Sequence, residues 1–253
     1  MHVPDRDLSL HWDLDFDQLG GGALEPKGSA AVLAKYIKDS AVQRWPGSQD
    51  KKKKADYERP NVIELGAGVG LVGLTAAAYC GANVMLTEWC RNGDRAQLDL
   101  LQRNVTENRD VIEANGGSAL AVEYDWASAP AHAAGAAVNN TTSYDLFEAS
   151  PPPSLVVGSD VSYDIEQIPN LVNSIKYILS RAGPDSSKAA GIGDPNNERR
   201  DTLPSALLAY TKKRSHFAND ALRTEAEAAG LSFHVVDNPG IELTEIVELH
   251  LKP

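Results

Sequence analysis

Val62-Ile63-Glu64-Leu65-Gly66-Ala67-Gly68-Val69-Gly70-Leu71-Val72-Gly73 is an apolar run that breaks on alternating glycines and resumes at once as a second apolar, Ala-rich segment. It predicts a strand, a tight turn and a helix joined without a linker. Glycines in such a turn let a ligand lie against bare backbone. The helix that follows offers its unpaired N–H groups to the same ligand.

The glycines admit two phrasings. Gly68-Val69-Gly70-Leu71-Val72-Gly73 fits G-x-G-x-x-G, the dinucleotide fingerprint. Gly66-Ala67-Gly68-Val69-Gly70, with Glu64 two residues before it, fits the G-x-G-x-G turn of proteins that bind S-adenosylmethionine. A pyrophosphate favours the helix dipole. A sulfonium and an amino acid instead favour nearby carboxylates such as Glu64. The glycines alone also fit a tight turn in any α/β protein.

Residues further along bear on the choice. A second strand, Asn83-Val84-Met85-Leu86-Thr87, ends at Glu88, about 20 residues past the glycines, where a carboxylate can accept both ribose hydroxyls. A third strand, Ala119 to Tyr124, ends at Asp125-Trp126. The Asp suits the adenine amino group and the indole suits the adenine face. A fourth, Leu155-Val156-Val157-Gly158, ends at Ser159-Asp160-Val161-Ser162-Tyr163. Successive strands thus place Glu64, Glu88, Asp125 and Asp160 at one edge of an open sheet, the edge where such folds bind ligands.

In this order the chain resembles the seven-strand protein lysine methyltransferases. The resemblance rests on Glu64 to Leu74, Leu86-Thr87-Glu88, Asn104-Val105-Thr106-Glu107-Asn108, Asp125-Trp126, Gly158 to Tyr163 and Leu207 to Arg214. The D-x-x-Y element from Asp160 to Tyr163 is its most specific part. It is similar to the methyltransferase family 16 branch acting on non-histone proteins, including the fungal type that modifies elongation factor 1-alpha. The resemblance implies an α/β fold of the Rossmann-like class I type. That fold has a mostly parallel seven-strand sheet, helices on both faces and an antiparallel C-terminal strand.

The cofactor implied is S-adenosylmethionine. Gly66, Ala67 and Gly68 would touch it through backbone, with Glu64 beside them. Glu88 would hold the ribose, Asp125 and Trp126 the adenine, and Ser159 would touch the cofactor. Asp160 and Tyr163 would line the lysine channel as the catalytic pair. One position departs: matching Leu33-Ala34-Lys35-Tyr36-Ile37 to the family's first helix puts Lys27 where the family carries a Trp.

Composition fits this expectation. The chain has 253 residues, 42% of them hydrophobic, enough for one α/β domain with a sizeable core. Residues 1–59 read as an N-terminal extension and first helix of the same domain, and 60–253 as the methyltransferase core. No apolar run is long enough to span a membrane, and the start lacks a secretory pattern. Two cysteines, Cys80 and Cys90, suit reduced cytoplasmic thiols, and no metal-ligand spacing appears. A net charge of −11 argues against nucleic acid and suits a partner with a basic surface around its target lysine. It equally suits ordinary solubility. A monomer is expected.

Between these elements, Leu14 and Phe16 alternate with acids as a possible edge strand, and Ser29 to Asp39 reads as a helix. Lys51 to Lys54 centres a loop. Asp94 to Arg109 and Asp164 to Ser180 read as helices, with Pro169 in the first turns of the latter or dividing a lead-in from it. Ala127 to Pro153 and Gly183 to Pro204 read as irregular excursions. Ala206 to Thr211 is a fifth strand, Phe217 to Ala229 a helix closed by Gly230, and Phe233 to Val236 and Glu245 to Leu251 the last strands. In the final strand Ile246, Glu248 and His250 alternate with Val247, Leu249 and Leu251.

Three functions stay open on this reading. They are a protein lysine methyltransferase, a small-molecule (nicotinamide-type) N-methyltransferase, and a cofactor-binding module without turnover.

Overall fold

Seven strands form one sheet in the order β3-β2-β1-β4-β5-β7-β6. The computed structural model describes residues 8, 28–44, 59–129, 152–181, 204–212, 216–236 and 243–252. The expected N-terminal ribbon, Lys27, the Lys51–Lys54 run, most of the 127–153 excursion and 183–203 lie outside these residues. In chain order the elements are α1 (Ser29–Arg44), β1 (Asn61–Glu64), α2 (Leu71–Cys80), β2 (Asn83–Glu88), α3 (Ala96–Glu107), α4 (Arg109–Ala114) and β3 (Ser118–Glu123). There follow β4 (Leu155–Ser159), α5 (Ile168–Arg181), β5 (Ser205–Thr211), α6 (His216–Ala228), β6 (Leu231–Val236) and β7 (Thr244–Leu251).

The five strands from β3 to β5 in the sheet are parallel, and β7 runs antiparallel to β5 and β6. From β1 the chain crosses through α2 to β2 on one side, while β4 pairs on the other. The switch point therefore lies at the C-terminal ends of β1 and β4, where a crevice opens in folds of this kind.

Two apolar layers cover the sheet. Leu33 and Ile37 of α1, the buried face of α2, and Leu98, Leu101 and Ile112 of α3 and α4 pack on one face. Leu171, Val172, Ile175, Ile178 and Leu179 of α5, with Ala218 and Leu222 of α6, pack on the other. α1 packs on α2 and on β5, which ties the first helix to the core. Because β7 lies between two strands and under both layers, Ile246 and Val247 are both buried, on opposite faces. The expected alternation holds from Val247 to His250, where Val247 and Leu249 are buried and Glu248 and His250 are partly exposed, and Ile246 adds burial on the second face.

Helix boundaries follow side-chain chemistry. Asp164 accepts the Glu166 N–H at 3.1 Å and caps a short 3-10 turn, Ile165–Gln167; α5 then starts at Ile168, with Pro169 in its first turn. Asp94 likewise accepts the Ala96 N–H at 3.0 Å just before α3. Gly230 follows α6 at φ 85°, a left-handed stop.

Candidate functional site

The glycine turn is built from positive φ angles, 61° at Gly66, 56° at Gly68 and 87° at Gly70. Its backbone is pinned from below. Ala67 donates to the Thr87 carbonyl at 2.8 Å and accepts the Gly70 N–H at 2.8 Å. The Asn104 side chain of α3 donates to the Val69 carbonyl at 2.9 Å, and Asn104 is wholly buried. A polar residue inside the apolar stripe of Leu98 and Leu101 is the sequence signal that marks it.

Glu64 sits beneath this turn, 1% exposed. The N-cap of α2, Gly70, has no side chain to offer, so Glu64 supplies the cap from β1: its Oε2 accepts the Gly73 N–H at 2.9 Å. A Cβ on Gly73 would stand 2.6 Å from that oxygen, which fixes why this position is glycine. Burial pushes the Glu64 carboxyl up to about 8; the Gly73 N–H opposes the shift and the charge of Glu88 adds to it. Of the acids at the strand ends, Glu64 is thus the one that faces the fold rather than the crevice.

Glu88 is the acid that meets the turn. Its Oε2 accepts the Gly68 N–H at 2.7 Å and its Oε1 the Trp89 N–H at 2.9 Å. Burial raises its pKa, and these two N–H groups work against that. A carboxylate offers about four acceptor positions. Two donors leave it capacity for a pair of hydroxyls.

Asp125 caps a 3-10 turn, Trp126–Ser128, by accepting the Ala127 N–H at 2.9 Å. The Trp126 ring lies over Gly66: a Cβ there would be 3.2 Å from Trp126 Cζ2 and 2.9 Å from Val161 Cγ1. The indole therefore joins the glycine turn to the segment after β4. The ring is partly buried and packs against the apolar layer of α5.

Asp160 follows Ser159, which is half-buried at the end of β4. Its backbone is left-handed, φ 51°, which is uncommon away from glycine. Its N–H donates to the Ala209 carbonyl at 2.8 Å, and its Oδ1 accepts the Thr211 N–H at 3.3 Å. Both bonds reach β5, so the residue is fixed at the gap between two strand ends. Tyr163 stands outward, 72% exposed, as no core aromatic would. Its pKa is raised, first by partial burial of the phenol and then by the nearby charges of Glu88 and Asp164, with Arg91 opposing. The D-x-x-Y segment meets the glycine turn through Val161, which packs on Gly66.

A donor set of this kind fits S-adenosylmethionine. It combines a glycine cradle with no room for a Cβ at Gly66 and an acceptor with spare capacity at Glu88. Among the described residues no cluster of His, Cys, Asp or Glu could hold a metal, and no helix is long and apolar enough to cross a membrane. Cys80 and Cys90 are buried and free.

The lysine methyltransferase family model matches residues 27–184, more than half of the chain. The chain is 30% identical over 127 residues to Protein N-lysine methyltransferase METTL21A of Danio rerio, covering 50% of this chain and 48% of that protein. Against the METTL21A of Xenopus tropicalis it is 27% identical over 169 residues, 66% of this chain and 60% of that one. The chain spans about half to three fifths of the length of these curated relatives. Among solved structures, the human methyltransferase 10 domain containing protein aligns over 87% of this chain and 81% of its own, at 11% identity and a TM-score of 0.49. S-adenosylmethionine is the cofactor that goes with this family. With residues 27–184 matched and the strand order of a class I methyltransferase, the chain belongs to the lysine methyltransferase family.

Proposed function

We propose that this chain is an S-adenosylmethionine-dependent N-methyltransferase that modifies a lysine ε-amine on a non-histone protein. The observation that carries the reading is the arrangement of three segments around the switch point: the Glu88-held glycine turn, Trp126 against Gly66, and the left-handed Asp160 fixed to β5. Gly66 and Gly68 would hold the cofactor through backbone, Glu88 its ribose, Asp125 with the backbone of Trp126 its adenine, and Ser159 its edge. Glu64 would act indirectly, through the turn it caps. When bound, S-adenosylmethionine supplies an electrophilic methyl on sulfur.

The rest of the chemistry belongs to the protein. A lysine with a reference pKa of about 10.4 is neutral in only about one molecule in 2,500 at pH 7, a cost of roughly 4.6 kcal/mol. Entry into a crevice that strips water from the ammonium lowers that cost. As the amine forms its new bond, positive charge grows on nitrogen. A fixed carboxylate at Asp160 would stabilise that charge and aim the lone pair. Tyr163 would guide the lysine stem at the mouth.

Three of the exposed large hydrophobic side chains, Trp89, Tyr163 and Ile165, follow the C-terminal ends of β2 and β4. An open rim of this type supports a protein surface as substrate. Together with the net charge of −11 it supports a basic region around the target lysine, with a translation elongation factor as the candidate class. A cytoplasmic monomer built as one domain, with residues 1–59 joined to the core, completes the proposal.

Calorimetric titration with S-adenosylhomocysteine tests the cofactor half. The expected result is saturable binding at a single site by the wild type. Gly66→Ala, with its Cβ 2.9 Å from Val161 and φ at 61°, should weaken it at least about tenfold. Binding of NAD without binding of S-adenosylhomocysteine would overturn the reading.

A further inference from the structure

We propose that Ser174 is a positioning residue for adenine recognition, acting from α5 through the backbone of Trp126. The proposal rests on the reading of Asp125-Trp126 as the adenine end of the site. Ser174 is wholly buried on α5. It interrupts the apolar stripe of Leu171, Ile175 and Ile178, where a side chain without polar atoms would be the ordinary choice. Its Oγ donates to the Trp126 carbonyl at 3.2 Å and accepts the Tyr124 hydroxyl, also at 3.2 Å. Tyr124, itself 1% exposed, closes β3. The chain from Tyr124 through Ser174 to Trp126 therefore clamps both ends of the two-residue step that contains Asp125.

That clamp has a consequence for specificity. Asp125 spends one oxygen on the Ala127 N–H, and the direction of the other is set by the backbone of the turn. Ser128 adds a local bond, its Oγ donating to the Asp125 carbonyl at 2.6 Å, but this bond moves with the turn. The Ser174 bond ties the turn to a helix packed on the core. A carboxylate that must meet the 6-amino group of adenine needs such a fixed reference, because a hydrogen-bonded site discriminates only while its geometry is held. Without the Ser174 hydroxyl, the Tyr124 hydroxyl and the Trp126 carbonyl each lose a partner, and the turn loses its hydrogen bond to α5.

Adenine discrimination separates this role from plain stability. The probes are S-adenosylhomocysteine and S-inosylhomocysteine, in which an oxo group replaces the 6-amino group. The wild type should prefer the adenine form by about tenfold or more. Ser174→Ala should weaken S-adenosylhomocysteine binding about tenfold and shrink the preference to about twofold. Ser174→Cys keeps the side-chain shape with a somewhat larger atom and bonds weakly through sulfur, and should shrink the preference too; it carries the test if the alanine variant does not fold. Tyr124→Phe, which leaves the Ser174 bond to Trp126 in place, should lower the melting temperature yet keep the preference. An unchanged preference in the Ser174 variants would overturn the proposal while leaving the cofactor reading intact. Equal binding of both probes by the wild type would overturn the adenine reading, and the proposal with it.

Discussion

Asp160→Asn should fold and bind S-adenosylhomocysteine within about threefold of the wild type while losing about 100-fold or more of methyl transfer. The substitution is chosen from the backbone. Asp160 holds φ 51° and accepts the Thr211 N–H. Asn tolerates the left-handed region and keeps an oxygen for Thr211, so it removes charge alone. Ala would lose the acceptor and strain the backbone by roughly 1–2 kcal/mol, mixing stability with chemistry. The expected loss follows from what the charge would do. A carboxylate about 4 Å from a developing ammonium gains on the order of 4 kcal/mol at an effective dielectric near 20, before screening. Melting curves, a titration and an initial rate measure the three quantities. Activity within about threefold of wild type would show that the charge is not used. Loss of cofactor binding in equal proportion would make Asp160 part of the cofactor site.

Glu64→Gln should stabilise the protein increasingly as pH rises from 5 to 8. The Glu64 carboxyl is raised from 4.5 to about 8 in the fold. Between those values the folded state keeps a proton that the unfolded chain has released, so stability falls as pH rises and levels off above the folded value. The full shift corresponds to about 5 kcal/mol. Gln cannot titrate, and its amide oxygen can still accept the Gly73 N–H that Glu64 accepts now. Denaturant unfolding at pH 5 and pH 8 gives the result: a small gap between variant and wild type at the lower pH and a gap of several kcal/mol at the higher one. A gap that does not change with pH would mean that Glu64 titrates as an ordinary carboxylate.

Much of this architecture was legible because strands and the acids after them obey local rules. Short apolar runs marked β1 to β5, and Glu88, Asp125 and Asp160 followed them at the edge where parallel strands open a crevice. What the sequence hid was set by distance along the chain. Glu64 caps a helix that begins seven residues later, across a turn, because Gly70 has no side chain with which to do so. Trp126 meets Gly66 only once β3 is placed two strands from β1. Asn104 entered the sequence reading only as part of a resembling segment and Ser174 not at all, because their bonds to the Val69 and Trp126 carbonyls join residues 35 and 48 positions apart. The short helix α4 carries a single fully buried apolar residue, Ile112, too little for periodicity to reveal. The terminal strand kept its period of two from Val247 to His250, and its place between β5 and β6 buried Ile246 on the second face as well.

The most direct measurement incubates the protein with methyl-labelled S-adenosylmethionine and a protein extract from cells that lack this chain, followed by mass spectrometry of the labelled peptides. The predicted result is methyl on the ε-amine of lysine in one or a few non-histone proteins, abolished by Asp160→Asn. Label found only on small molecules, or on residues other than lysine, would contradict the account.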